Sequence, residues 1–65
     1  MKLTRIEREI VKLAALGLTN KEIALRVHLS LQGVKWNLAK IYKKAGVKNK
    51  VQLAALYAAL EALRG

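Results

Sequence analysis

Cysteine, proline and aspartate are absent from this chain of 65 residues, and its only histidine is His28. Without cysteine the chain has no disulfide framework and no thiolate metal site. A catalytic triad, or a metal cluster of histidine and carboxylate, needs side chains that this composition does not supply. No apolar run approaches the ~20 residues that span a bilayer, and no secretory signal is visible near Met1. We therefore expect that the protein is not an enzyme and has no catalytic site, metal site or cofactor. We also expect it to bind no membrane and no small-molecule ligand, and to be located in the cytoplasm.

Acidic side chains are scarce as well. Lysine and arginine number 13 against four acidic residues, which gives a net charge of +9. So basic a chain of this length is typical of a protein with a polyanionic partner. The stretch from Ile23 to Leu60 holds no acidic residue, and its cations are Arg26, Lys35, Lys40, Lys43, Lys44, Lys48 and Lys50. A basic face that is merely solvated is the alternative, but the concentration of these cations on one predicted helix and the loop after it favours nucleic acid.

Capping signals predict four helices. Each helix opens with a residue whose side chain can satisfy a free backbone N–H, and some of these residues are followed by the Glu or Gln of a capping box. These starts are Thr4 with Glu7, Thr19 with Glu22, Ser30, and Asn49 with Gln52. Two glycines in the C′ position, Gly17 and Gly46, end the first and third helices. The predicted bounds are Thr4 to Gly17, about Asn20 to Val27, Ser30 to Ala45, and Asn49 to about Leu63.

Apolar side chains recur at helical spacing and predict the core. In the first helix we expect burial of Ile6, Ile10, Leu13 and Ala14, and in the second of Ile23, Ala24 and Val27. In the third helix the core face comprises Leu31, Val34, Leu38, Ile41 and Ala45. Residues 1–65 are therefore expected to form one all-α domain. We expect Tyr42 and Tyr57 to pack in or beside the core, and His28 to be a surface residue in a turn.

The second and third helices together predict a helix-turn-helix. A short helix, a tight connection through residues 27–29 and a longer basic helix have the order of that motif, whose second helix enters the DNA major groove. Opposite its core face, the third helix carries Gln32, Trp36, Ala39, Lys40 and Lys43, flanked by Lys35 and Lys44. Exposure of the only tryptophan is costly unless that face has a partner. The alternative is that Trp36 folds back over a neighbouring loop.

The fourth helix is apolar almost all round. Its large-residue face consists of Leu53, Leu56, Tyr57, Leu60 and Leu63, and we expect it to pack on the first and third helices. Its small-residue face consists of Val51, Ala54, Ala55, Ala58, Ala59 and Ala62. A helix that is apolar on both sides is normally buried on both, so the small face is a candidate homodimer contact across a two-fold axis. The alternative is that these alanines only favour helix formation.

Several motifs at fixed spacing resemble the LuxR/GerE-type DNA-binding domain, also called the NarL/FixJ-type output domain. The similarity includes Leu3-Thr4 with residues 7–9, the run 17–24 (GLTNKEIA), Ser30, Val34-Lys35, Leu38, Ile41, Lys44, Gly46-Val47 and Asn49. The resemblance implies a four-helix domain, with a three-helix core that includes the recognition helix and a C-terminal dimerisation helix. It also implies double-stranded DNA binding as a dimer, for bacterial transcription regulation. Because the small-residue face of the fourth helix is a small patch, pairing of the subunits on DNA alone is a further expectation. The chain would be a stand-alone regulator or the output domain of a response regulator.

The resemblance also assigns expected DNA contacts. Lys35 is expected at phosphate or a guanine edge, and Trp36 and Ala39 occupy positions that commonly face bases. A phosphate contact is also expected at the start of the second helix, where free backbone N–H groups suit a phosphate. The residues there are Thr19, Asn20 and Lys21. Further backbone contacts are expected from Lys44, Lys48 and Lys50. The chain departs from the family at several positions, namely Gly33 for threonine, Asn37 for histidine, Ala45 for leucine, Lys50 for arginine and Ile6 where arginine is common.

Two other functions remain open on the sequence. A sigma-factor-like helical module that contacts RNA polymerase also contains a helix-turn-helix, and a contact with the polymerase is compatible with a DNA-binding regulator too. A basic helical protein that binds a membrane surface is the other alternative. That alternative is disfavoured, since interfacial helices do not need so many caps and C′ glycines.

Overall fold

The computed structural model describes residues 2–64, which form four α-helices and no strand. The helices are α1 (Arg5–Ala15), α2 (Asn20–Val27), α3 (Leu31–Ala45) and α4 (Lys50–Arg64). The all-α prediction is therefore confirmed, and the predicted order and bounds of the four helices agree closely with the structure. Within the described residues no helix is both long enough and apolar enough to cross a lipid bilayer.

The predicted caps of the first three helices are present. In α1 the Thr4 hydroxyl accepts from the Glu7 N–H at 3.2 Å, and the Glu7 carboxylate accepts from the Thr4 N–H at 2.8 Å. The box of α2, between Thr19 and Glu22, has the same two distances. At α3 the Ser30 hydroxyl accepts from the N–H of residue 33 at 3.0 Å. These bonds satisfy backbone donors that the first turn of a helix leaves free.

The start of α4 differs from the predicted capping box. The Asn49 side chain accepts from the Gln52 N–H at 2.9 Å, as expected for an N-cap. The Gln52 side chain, however, accepts from the N–H of Lys48 at 2.7 Å, one residue before the cap. The hydrogen bond from the Lys48 N–H to Gln52 therefore stabilises the loop before α4 and not the N-cap residue itself.

The core lies where α1, α2 and α3 meet, and α4 adds one fully buried leucine to it. All three pairs among α1, α2 and α3 are in contact, and α4 packs chiefly on α1. The buried apolar residues are Ile10, Val11, Leu13, Ala14, Ile23, Ala24, Val34, Leu38, Ile41 and Leu53, and Val27, Tyr42, Ala45 and Tyr57 are partly buried against them. The predicted core is confirmed at most of its positions, and both tyrosines pack beside it as expected.

Two residues of the predicted core are exposed. The side of α1 that faces the core carries Glu7, Ile10, Val11 and Ala14, so the helix is rotated relative to the prediction and Ile6 is 37% exposed. Leu31 lies in the first turn of α3, beside turn residues 28–30 that are themselves exposed, and it stays exposed as well. The prediction of burial was wrong for both side chains.

The large-residue face of α4 is only partly covered. It was predicted to pack on both the first and third helices, but α4 packs chiefly on α1. Helix α4 runs antiparallel to α1, with Lys50 near Leu18 and the far end of α4 near Leu3. Fifteen residues make α4 roughly 22 Å long, against roughly 16 Å for the eleven residues of α1. The last turns of α4 therefore extend past the partner helix, and Leu63 is 84% exposed.

Candidate nucleic-acid interface

The turn between α2 and α3 closes on a left-handed residue. His28 has φ 59° and ψ 41°, and its N–H donates to the carbonyl of Ala24. The Leu29 N–H donates to the same carbonyl at 3.1 Å. A non-glycine residue in this conformation costs on the order of 1–2 kcal/mol, although histidine adopts it more readily than most residues. His28 is exposed, as predicted, and it sets the angle at which α3 leaves α2.

One face of α3 is exposed along its length. Trp36 is 68% exposed, so it points away from the core and is not folded over a loop. The exposed residues of this stripe are Gln32, Lys35, Trp36, Ala39, Lys40 and Lys43. The Asn37 amide donates to the Gly33 carbonyl at 2.8 Å, so its side chain lies along the helix. We call the six exposed residues the α3 face.

Every charged residue of the α3 face is a lysine, and no carboxylate on the helix compensates for these charges. Helix α3 contains no acidic residue. Within residues 2–64, neither ion pair of the structure involves a lysine of this face. Its ammonium groups therefore remain available to a polyanion, with an indole and a methyl group between them.

Lys44, which was expected to contact the DNA backbone, forms an ion pair inside the protein. Its ammonium lies 2.7 Å from the carboxylate of Glu7, which is 1% exposed. The hydrogen bond from Lys44, and next the backbone N–H of Thr4, hold the pKa of the Glu7 carboxyl below its ordinary value of 4.5. Its second oxygen has no hydrogen-bond partner within the described residues. Lys44 therefore joins the C-terminal end of α3 to the first turn of α1.

Replacing Lys44 by methionine is expected to lower the free energy of unfolding by about 2 kcal/mol at pH 7. This loss of stability lies between the ~0–1 kcal/mol contributed by a surface ion pair and the ~3–5 kcal/mol lost when a fully buried pair is broken. It is intermediate because Lys44 is partly exposed and Glu7 is buried. Lys48→Met removes the same charge from an exposed lysine and is the matched control, with a change of about 0.5 kcal/mol or less. Thermal unfolding followed by circular dichroism measures both.

The same pair predicts a dependence on pH. Because the pKa of Glu7 is lowered in the folded state, its stabilising contribution is present above pH 4.5 and is lost as the pH falls through the folded value. The stability difference between the wild type and Lys44→Met should therefore shrink in acid. A difference that stays constant from pH 7 to pH 3 would contradict a role for the ion pair.

Lys50 and Asn20, both expected at phosphate, lie against each other. The Lys50 ammonium donates to the Asn20 side-chain oxygen at 2.9 Å and to the Leu18 carbonyl at 3.0 Å. This contact fixes the first turn of α4 to the first turn of α2. The Thr19 hydroxyl is likewise engaged in its cap, whereas Lys21 and Lys48 are exposed.

The small-residue face of α4 is largely uncovered. Val51 is exposed, as are Ala55, Ala58, Ala59 and Ala62. Ala54 is the exception, because it is half-buried in a recess beside Ala14 and Gly17. An apolar helix face without large side chains allows another backbone to approach closely.

A family model described as bacterial regulatory proteins, luxR family, matches residues 1–57, which include all of α1, α2 and α3. The chain belongs to this family. The family and the four-helix fold both agree with the resemblance seen in the sequence. Helices α2 and α3, with the turn at His28 between them, are therefore the helix-turn-helix of a luxR-family domain.

Individual relatives of this luxR-family domain are named as transcriptional regulators. A Mycobacterium tuberculosis protein named as an HTH-type transcriptional regulator is 43% identical over 51 residues, which are 78% of this chain and 6% of the relative. A Hyphomicrobium methylovorum protein named as the transcriptional regulatory protein SgaR is 40% identical over 58 residues, 89% of this chain and 28% of the relative. The Bacillus subtilis protein YvfU, named as a transcriptional regulatory protein, is 41% identical over 83% of this chain and 27% of its own length. The chain thus spans under a third of each relative.

Proposed function

We propose that this luxR-family domain binds double-stranded DNA sequence-specifically as a homodimer and regulates transcription in the cytoplasm of a bacterium, with α3 as the recognition helix in the major groove. The observation that carries the proposal is the α3 face, an exposed basic surface with a tryptophan at its centre. Its placement after the tight turn at His28 is the arrangement in which a second helix enters the groove. Membership of a family of bacterial regulatory proteins supports the same function.

The α3 face divides into groups that position the protein and groups that read bases. Lysines contact phosphates mainly through charge, which fixes the register without sequence information. Lys35 lies beside Trp36 and can reach phosphate or the acceptor edge of a guanine. Trp36 and Ala39 offer apolar surface, and the apolar group that a base presents in the major groove is the thymine methyl.

The internal bonds of Lys44 and Lys50 refine the expected phosphate contacts. Both ammonium groups already bind acceptors within the protein. We therefore assign them to holding α3 and α4 in place, and assign phosphate binding to Lys21, Lys40, Lys43 and Lys48.

The small-residue face of α4 is the proposed dimer contact. Paired helices on a two-fold axis would place two copies of α3 about one DNA turn apart, on half-sites with roughly 10 bp between centres. The face is small, so the free protein can be monomeric and pair on DNA.

Selection of bound sequences from random duplexes tests the proposal. An inverted repeat with about 10 bp between half-site centres is the expected result. A pool without sequence preference would overturn sequence-specific binding, and a single unrepeated site would favour the sigma-factor-like alternative.

Trp36→Ala is expected to change the preference between sequences. Loss of a base contact costs roughly 1–3 kcal/mol on the preferred duplex and much less on others. Lys48→Ala is the matched comparison, because loss of a phosphate contact weakens all duplexes alike. Competition between the selected duplex and a scrambled one measures the ratio. An unchanged ratio in Trp36→Ala would place this side chain off the bases.

A further inference from the structure

A second surface with a distinct chemistry lies on the α1 and α4 side of the molecule. A groove of about 410 Å³ runs between Leu3 and α1 on one side and the last turns of α4 on the other. Its aliphatic lining consists of Leu3, Val11, Leu53, Leu56, Leu60 and Leu63. We call it the α1–α4 groove. No residue of the α3 face lines it, so DNA binding leaves its apolar floor unused.

The rim of the α1–α4 groove is basic. Arg8 and Arg64 line the groove together with Glu61, which pairs with Arg64 at 3.1 Å. An adjoining polar depression shares these three residues and adds Arg5, Glu9 and Lys12. Taken together, the groove and the depression carry four cations and two carboxylates, which leaves a surplus of two positive charges along this side of the molecule.

The charge of the chain argues against a second copy as the occupant. A partner for this rim must present carboxylates, but the chain has only four glutamates and a net charge of +9. Glu7 is buried, Glu22 is engaged in the cap of α2, and the other two already lie on the rim. A second copy therefore has no acidic face to offer.

The shape of the surface argues for a helix. A concave channel between two helices fits a ridge of side chains, whereas a bilayer surface is flat. Amphipathic helices dock in such grooves through apolar residues at i, i+3, i+4 and i+7. Carboxylates beside that ridge would meet the arginines of the rim, and such complementarity selects the partner. We propose that the α1–α4 groove binds an acidic amphipathic helix of a partner protein.

A designed peptide tests the proposal on the intact chain. The probe is an 18-residue helix with leucines at i, i+3, i+4 and i+7 and glutamates beside them, and its control has the same composition with the leucines scattered. Chemical shifts of the ¹⁵N-labelled protein are followed at 150 mM salt. The expected result is saturable shifts at Leu3, Val11, Leu60 and Leu63 with the amphipathic peptide only. Shifts confined to the α3 face, or equal binding of both peptides, would overturn the proposal.

Two charge-reversal variants separate the groove from the general charge of the protein. Arg8→Glu with Arg64→Glu should weaken peptide binding about tenfold or more. Lys35→Glu with Lys40→Glu makes the same change in net charge on the α3 face. It should weaken peptide binding less than about twofold, since salt screens charges beyond roughly 8 Å. Both are checked for wild-type circular dichroism. Equal losses would mean that charge alone attracts the peptide, and groove shifts with phosphatidylglycerol vesicles but not with the peptide would make lipid the occupant. Either result would overturn the proposal.

Discussion

Raising the salt concentration from 50 to 200 mM is expected to weaken the binding of this domain to its DNA site by about 10³–10⁵-fold. Each neutralised phosphate releases condensed counterions, so the logarithm of the binding constant falls linearly with the logarithm of the salt concentration. With several exposed cations per subunit on and beside the α3 face, the slope should be about −5 to −9 per dimer. Fluorescence anisotropy of a labelled duplex across a salt series measures it.

Two lysines of α3 provide the matched comparison for the salt prediction. Lys40 is exposed, whereas the Lys44 ammonium binds Glu7. Lys40→Ala should make the slope less steep by about two per dimer, and Lys44→Ala by distinctly less, at a temperature where both variants remain folded. A salt response that is flat in the wild type would remove nucleic acid as the partner of this surface.

Ala55→Glu combined with Ala59→Glu is expected to abolish cooperative binding to a duplex with two half-sites. Four carboxylates would then meet across the proposed two-fold axis, where the wild type would place methyl groups. The helical fold should persist, because both side chains are exposed and glutamate is a good helix former. The lost coupling should lie in the usual range of about 5- to 150-fold. Gel-shift titration of one-site and two-site duplexes measures it.

The variant with lysine at the same two positions controls for net charge. Glutamates also repel DNA, whereas lysines attract it, but either pair would repel its own copy across the proposed dimer axis. Both variants should therefore lose cooperativity, and only the glutamate variant should bind a single half-site more weakly. Cooperative binding that persists in both would show that subunits do not meet through this face.

The helix ends were predictable because the interactions that define them are local. Thr4 with Glu7 and Thr19 with Glu22 are three residues apart, so each box can be recognised without knowing the fold. The α3 face was predictable for a related reason. A helix that buries Val34, Leu38 and Ile41 on one side must expose the other.

The contacts that the sequence did not reveal join residues far apart in the chain. Glu7 and Lys44 are 37 positions apart, and Asn20 and Lys50 are 30 apart. No local pattern pairs them, so both lysines were interpreted as phosphate ligands. A signal for Glu7 was nevertheless present, since it shares a helical stripe with Ile10, Val11 and Ala14. Burial of a carboxylate needs a charged or hydrogen-bonding partner, and that partner, Lys44, is supplied only by the tertiary structure.

Because Trp36 is the only tryptophan and is exposed, its fluorescence reports on one place in the protein, the α3 face. Trp36 is already largely surrounded by solvent in the folded chain, so we expect unfolding to change the environment and the emission of its indole only slightly. The proposed contact with DNA bases, in contrast, would remove water from the ring and bring it close to quenching groups. Emission of the unlabelled protein is therefore expected to follow occupancy of the α3 face, while backbone dichroism follows the four helices. Binding and folding can thus be observed independently in one sample.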